Sequence, residues 1–338
     1  MNWLGLDIGG ANLKVANGQG YAAAMPFALW REPSQLASRL RQMIADGPRC
    51  DGLAVTMTGE LADCFESKAA GVKFILEAVE RAADHREVSL YTNTGSFVSP
   101  PVAIANPMLV AAANWHALAS FASRFAASKA AILIDIGSTT CDIIPLVNGM
   151  CVRGNEPSDT TRLLRGELVY VGIERTPVCG VVSEVPFRKQ PCPVARELFA
   201  TTADAYIVLG DVPEDAANQD TADGAPATQA AARRRLARMI CADLEAFTDD
   251  DAVAVATAIE RSVDDLVLAG IRKVLNENQL MPEIGIVSGH GVFIARRALQ
   301  RLERPIHVLD LNEVLGAEVL RAAPAHAVAV LATEADCK

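Results

Sequence analysis

Asp7 and Asp135 occupy the same setting: each ends an apolar run and is followed by Ile-Gly and then small residues. The first copy is Leu4-Gly5-Leu6-Asp7-Ile8-Gly9-Gly10-Ala11-Asn12-Leu13-Lys14-Val15. The second is Ile132-Leu133-Ile134-Asp135-Ile136-Gly137-Ser138-Thr139-Thr140-Cys141-Asp142-Ile143. Glycines let backbone N–H groups approach an anion closely, and hydroxyls add donors without bulk. The pattern suits phosphate oxygens held by Gly9, Gly10 and Lys14 on one side and by Gly137, Ser138, Thr139 and Thr140 on the other. A carboxylate repels phosphate, so Asp7 and Asp135 would instead hold Mg²⁺ or its waters between the two turns. Ordinary hairpins with solubilising aspartates are the plainer alternative for one copy alone, and the duplication favours the phosphate site.

Four further groups of residues could act. Glu60 and Asp63 follow the apolar run Leu53–Met57, at the strand end where open α/β sheets place ligands. On one helical turn they would supply a general base and a partner for a metal or ammonium, and a helix start with favourable acidic residues accounts for them equally well. Gly289 and Gly291 flank His290 between an apolar run and a helical pattern, a second place for phosphate or adenosine or else a plain turn. Arg162 and Arg175 flank the strand-like Glu167–Val171 and would meet anionic substrate groups, unless they are surface arginines. Asp220 and Asp223 belong to an acidic stretch that reads either as a solvated loop or as a site for a cationic group.

Each repeat reads as strand, tight turn and second strand, so the chain should hold two related α/β domains. After the first copy the pattern gives a strand over 20–27, a helix over 35–45, a strand over 53–57, a helix over 69–83 and a short strand over 88–91. The expected organisation is a first domain over 1–107, a bridging helix over 108–129 and a second domain over 130–338 with a loop-rich insertion over about 154–227. Helices over 228–246 and 252–278, a strand over 284–288, a helix over 292–301, a strand over 306–308 and a last helix over 325–333 complete the second domain.

The 338 residues suit two domains, and 51% hydrophobic against 21% charged residues is a globular balance. A net charge of -10 disfavours binding to nucleic acid or anionic membrane through bulk electrostatics. No apolar run approaches a bilayer span, and the first strand begins too early for a leader to precede it, so a cytoplasmic protein is expected. The eight cysteines form no C-x-x-C pair and read as buried or idle thiols. Neither a G-x-x-x-x-G-K-[ST] loop nor a G-x-G-x-x-G after the first strand occurs, which disfavours P-loop and dinucleotide-binding folds.

The duplicated Asp-Ile-Gly hairpins, with a Gly-rich turn near the C-terminus, resemble the actin, sugar kinase and Hsp70 superfamily. That resemblance implies two ribonuclease-H-like domains of the actin and hexokinase type around an interdomain cleft. The stretches Thr56–Asp63, Ala113-Asn114-Trp115, Ile134–Asp142, Arg162–Tyr170, Asp220–Gly224 and Ser288–Gly291 are similar to a narrower group. This is the hydantoinase/oxoprolinase-like group tied to tetrahydromethanopterin-linked one-carbon metabolism. It implies a transferase that joins aminomethylfuran diphosphate to the phenol of a glutamylated tyramine or tyrosine and releases pyrophosphate, as in methanofuran biosynthesis. Substrate-binding roles would then fall on Asn114, Arg162, Arg175, Asp220 and Asp223, with Glu60 as base, Asp63 perturbing it and Mg²⁺ on Asp7 and Asp135. The partners implied are a small diphosphate and a phenol, without nucleic acid or membrane, and a second copy of the chain in a homodimer. The same cleft would also suit an ATP-dependent kinase or hydrolase, or a nucleotide-driven switch or assembly protein. A kinase base motif is not evident in the second domain.

Overall fold

The two Asp-Ile-Gly repeats each open a mixed sheet. The computed structural model describes residues 1–152 and 158–337. The first lobe begins with β1 (Trp3–Ile8), β2 (Asn12–Ala16) and β3 (Ala22–Pro26), followed by α1 (Leu36–Asp46), β4 (Gly52–Met57), α2 (Lys68–Ala83), β5 (Glu87–Tyr91) and β6 (Phe97–Val98). The strand order is β3-β2-β1-β4-β5-β6, with β1, β4 and β5 parallel and the hairpin strands antiparallel. Every residue of β1 and β4 is buried, as expected for strands covered on both faces.

Helices α3 (Pro100–Ala105) and α4 (Asn114–Ala122) lead to the second sheet. It is built from β7 (Ala131–Ile136), β8 (Cys141–Val147), β9 (Met150–Cys151), α5 (Asp159–Arg165) and β10 (Leu168–Val169). The hairpin β11 (Glu184–Phe187) and β12 (Gln190–Pro193) follows, then α6 (Thr202–Leu209), α7 (Gln229–Arg238) and α8 (Asp249–Glu277). The chain ends with β13 (Ile284–Ser288), α9 (Val292–Gln300), β14 (His307–Asp310), α10 (Leu311–Leu315), α11 (Ala317–Leu320) and α12 (Ala323–Asp336). The order β10-β8-β7-β13-β14 repeats the first sheet: an antiparallel hairpin whose first strand runs parallel to the two strands beyond it. Two ribonuclease-H-like α/β lobes result.

Three expectations about organisation need correction. The bridging helix over 108–129 is shorter: only Asn114–Ala122 is α-helical, between 3-10 turns at Pro107–Leu109 and Ser123–Phe125, because Ala112 and Ala127 both adopt positive φ. Its faces still serve both lobes, Leu118 and Ala119 against the second sheet and Ala117 and Phe121 against the first. The insertion is more ordered than a loop, holding α5, β10, the β11–β12 hairpin and α6, and its expected start at 154 lies outside the described residues. The last helix does not complete the second lobe. Its small residues Ala325, Ala327 and Ala329 let α12 lie against β1 so closely that a Cβ on Gly5 would sit 1.9 Å from the Ala325 carbonyl oxygen. Ala327, Val328 and Ala332 share a core with Trp3, Ala54, Tyr91 and Phe121 of the first lobe. Among the described residues no helix is long and apolar enough to cross a membrane.

Candidate active site

The two turns are built alike. The Gly9 N–H donates to the Asn12 carbonyl at 3.0 Å, and the Gly137 N–H donates to the Thr140 carbonyl at 2.9 Å. The second turn is buttressed from outside: Ile173 N–H donates to the Gly137 carbonyl, and the Glu174 and Arg175 N–H groups both donate to the Ser138 carbonyl at 3.0 Å. Such contact requires Gly172, where a Cβ would lie 2.4 Å from the Ser138 carbonyl carbon. Gly289 has φ +84° and would place a Cβ 2.3 Å from the Ile136 carbonyl oxygen, to which Gly291 N–H donates at 2.9 Å. Gly289 and Gly291 therefore allow β13 and α9 to reach the end of β7. His290 is carried with them, its Nδ1 3.4 Å from Glu174 Oε1.

Strand register gives the two aspartates different neighbours. Asp7 is paired across the hairpin with Lys14, and Asp135 with Asp142. The Lys14 Nζ lies 3.1 Å from Asp7 Oδ2, while Asp7 Oδ1 is buried without a hydrogen-bond partner. Burial opposes the charge on Lys14, but Asp7, Asp135 and Glu174 outweigh it and raise its pKa. One ammonium thus feels the charge of both hairpin aspartates. Burial, reinforced by Asp142, raises Asp135 to about 6. Burial also raises Asp142, opposed by Arg162, whose Nη2 lies 2.5 Å from Asp142 Oδ1.

Arg162 is placed away from direct substrate contact. It is 2% exposed, bonded to Asp142 and to the Glu167 carbonyl, with its guanidinium 4.2 Å above the Trp115 ring. It supports the second hairpin and joins the Asn114-Trp115 segment to it. Asn114 itself is half-buried at the start of α4 and its Oδ1 accepts from Trp115 N–H.

Glu60 lies in a 3-10 turn, Gly59–Leu61, that leans on the first hairpin's turn: a Cβ on Gly59 would lie 3.2 Å from the Gly9 backbone and 2.8 Å from Leu29 Cδ2. Helix α2 presses on it through Gly71, where a Cβ would lie 2.4 Å from the Glu60 carbonyl oxygen. The side chain is 1% exposed and Oε2 has no hydrogen-bond partner. Burial raises its pKa to about 7, with Asp159 adding to the rise and backbone hydrogen bonds and Lys68 opposing it. Lys68 and Asp159 form an ion pair between lobes at 2.5 Å.

The remaining expected residues divide. Asp63 is exposed, since the chain becomes extended at Ala62, and it is Asp159 rather than Asp63 that adds to the charge repulsion on Glu60. Asp223 is occupied: Arg235, Arg238 and Arg234 of α7 lie 3.0, 3.1 and 3.6 Å away, so its charge is already met by that helix. Asp220 is exposed in the same loop. Arg175 does reach the cleft, its guanidinium 4.6 Å from the Trp30 ring of the other lobe. Trp30, Asp142, Glu174, Lys68 and Asp159 were not singled out by sequence; only the matched seven-residue spacing of Asp7 to Lys14 and Asp135 to Asp142 could have exposed one of them.

Residues 51–309 match the hydantoinase/oxoprolinase family model, more than half of the chain. The chain belongs to the hydantoinase/oxoprolinase family. A curated relative from Methanocaldococcus jannaschii is 33% identical over 331 residues, 97% of this chain and 96% of the relative. It is named (4-{4-[2-(gamma-L-glutamylamino)ethyl]phenoxymethyl}furan-2-yl)methanamine synthase. A second enzyme of that name, from Methanococcus vannielii, is 33% identical over 205 residues, 60% of this chain and 90% of the relative. Among solved structures, a polyphosphate/ATP-glucomannokinase from Arthrobacter sp. strain KM aligns with a TM-score of 0.45 and 14% identity over 98% of this chain and 99% of its own. A type IV pilus PilM–PilN complex aligns with a TM-score of 0.46 and 14% identity over 100% of this chain and 99% of its own. Equal likeness to a kinase and to a pilus protein says nothing about chemistry. Within this hydantoinase/oxoprolinase member, the family match spans Glu60, the second hairpin, Arg162 and the Gly289–Gly291 turn; the hairpin with Asp7 and Lys14 precedes it.

Proposed function

We propose that this enzyme forms an aryl furfuryl ether, coupling aminomethylfuran diphosphate to the phenol of a glutamylated tyramine or tyrosine with release of pyrophosphate. The single observation that carries the reading is Glu60: a buried carboxyl with one unpartnered oxygen and a pKa near 7, on a turn that touches a phosphate-type turn. A phenol near pKa 10 needs a base of raised pKa as its oxygen attacks. The named relatives, whose product is a phenoxymethylfuran, supply the substrate class.

The phenol oxygen forms a bond to the furfuryl carbon as the carbon–oxygen bond to the diphosphate breaks, and the electron pair leaves on pyrophosphate. The phenol proton passes to Glu60. Gly9 and Gly137 close the two turns with their own N–H groups, while backbone N–H groups and hydroxyls at Gly10, Ser138, Thr139 and Thr140, with Lys14, stabilise the departing charge. Asp7 and Asp135 suit Mg²⁺, being hard oxygen donors, with Asp7 Oδ1 buried and left without a partner. Mg²⁺ commonly takes one or two carboxylates beside substrate phosphates, so the lack of a three-ligand cluster among the described residues is compatible with it. Bound there, Mg²⁺ would draw charge from the leaving diphosphate.

The test is incubation of the purified protein with aminomethylfuran diphosphate, either phenolic substrate and Mg²⁺. The expected result is coupled ether and pyrophosphate in equal amounts. Absence of ether together with hydrolysis or transfer from ATP would replace this reading with a kinase or ATPase.

A further inference from the structure

The segment after β3 holds an indole between two lobes. Phe27 N–H and Leu29 N–H donate to the Ala11 and Gly10 carbonyls at 2.9 Å, so this segment lies directly on the first phosphate-type turn. Trp30 follows and is half-buried. Its ring meets the Arg175 guanidinium of the second lobe at 4.6 Å, and Arg175 N–H is bonded to the Ser138 carbonyl of the second turn. Arg31 lies on the same ring at 6.0 Å.

Among the described residues neither Arg31 nor Arg175 has a carboxylate within ion-pair distance, in a chain with 41 acidic residues against 31 basic ones. Two uncompensated guanidinium groups on one indole, beside two phosphate-type turns, form an anion-directed aromatic platform. Its position along the cleft matters as much. Leu29, next to Trp30, donates its N–H to the Gly10 carbonyl and sets its side chain against Gly59, so the indole segment borders both the first turn and the turn that carries Glu60. In the substrate the furan ring and its methylene likewise adjoin both the diphosphate and the attacking phenol.

We propose that Trp30 is the seat of the furan ring, its indole stacking on the ring's flat face while Arg175 and Arg31 take outer oxygens of the diphosphate. This rests on the diphosphate reading of the cleft. Arg175 then exchanges its contact with the indole for phosphate, and the ring takes its place on the indole. Specificity for a flat, unsaturated carrier of the diphosphate follows, because an aromatic face rewards stacking and a phosphate turn alone does not.

Titration calorimetry separates these contributions, with inorganic pyrophosphate and aminomethylfuran diphosphate as probes in the presence of Mg²⁺. Trp30→Leu should weaken aminomethylfuran diphosphate roughly ten-fold and leave pyrophosphate within about two-fold. Trp30→Phe, which keeps an aromatic face, should retain most of the affinity. Arg175→Gln should weaken both probes. Equal weakening of both probes by Trp30→Leu, or none, would overturn the proposal, as would a loss confined to the phenolic substrate. Should the wild-type protein fail to bind inorganic pyrophosphate at all, the diphosphate reading falls and this inference with it.

Discussion

Replacing Glu60 by Gln keeps the shape of the side chain and removes its capacity to take a proton. Burial raises this carboxyl from its ordinary 4.5 to about 7. Between those values the folded protein keeps a proton that the unfolded chain has lost. The group's contribution to stability is therefore full below pH 4.5 and is lost as pH rises through 7. The gap corresponds to about 3 kcal/mol forfeited at pH 8. Glu60→Gln escapes that loss, so in scanning calorimetry it should melt about 4 °C above the parent at pH 8 and level with it at pH 4. Activity should move the other way, with kcat for ether formation falling by roughly 10² to 10⁴. In the parent the ionised base is lost as pH falls, leaving roughly one-tenth of the rate at pH 6, and the variant should lack this acidic limb. A variant with unchanged kcat, or one less stable than the parent at pH 8, would refute the assignment of a buried base of raised pKa.

Other residues separate binding from architecture. Lys14→Gln deprives the buried Asp7 of its cation, and urea unfolding at pH 7 should show a loss of about 3 kcal/mol; no measurable loss would show that Asp7 does not depend on Lys14. Gly172→Ala drives a methyl into Ser138 and Thr139, so pyrophosphate affinity by calorimetry should drop at least about ten-fold as the turn is displaced. Asp223→Asn breaks a cluster with three arginines, and the expected change is about 1 to 3 kcal/mol in thermal stability with KM for the furan substrate unaltered; a selective rise in KM would return Asp223 to the substrate site.

The lobes were legible because their strands carry strong local signals. The Asp-Ile-Gly hairpins and the apolar run Leu53–Met57 stand in the structure nearly where periodicity puts them. The charge of each site residue depends instead on cross-strand and interlobe neighbours, which spacing along the chain does not report. Asp7 and Asp135 look equivalent in sequence, yet register gives one a lysine and the other a second aspartate held by Arg162. Asp63 is close to Glu60 along the chain but exposed, and Asp159 influences Glu60 from 99 residues away. Trp30 was invisible as a site residue because its partner, Arg175, belongs to the other lobe. The last helix misled because an alanine-rich apolar pattern announces a close-packed helix without saying which sheet it will cover.

That helix gives the molecule an order of assembly. Residues 323–336 complete the core over β1 and β4, so the first lobe is interrupted by the whole of the second and closes only after it. On a growing chain, Trp3, Ala54 and Phe121 must wait uncovered through the synthesis of some two hundred further residues until Ala327 and Val328 arrive. The earlier half thus becomes the later one to mature, and a nascent chain stopped anywhere in the second lobe exposes an apolar face for quality-control factors to find.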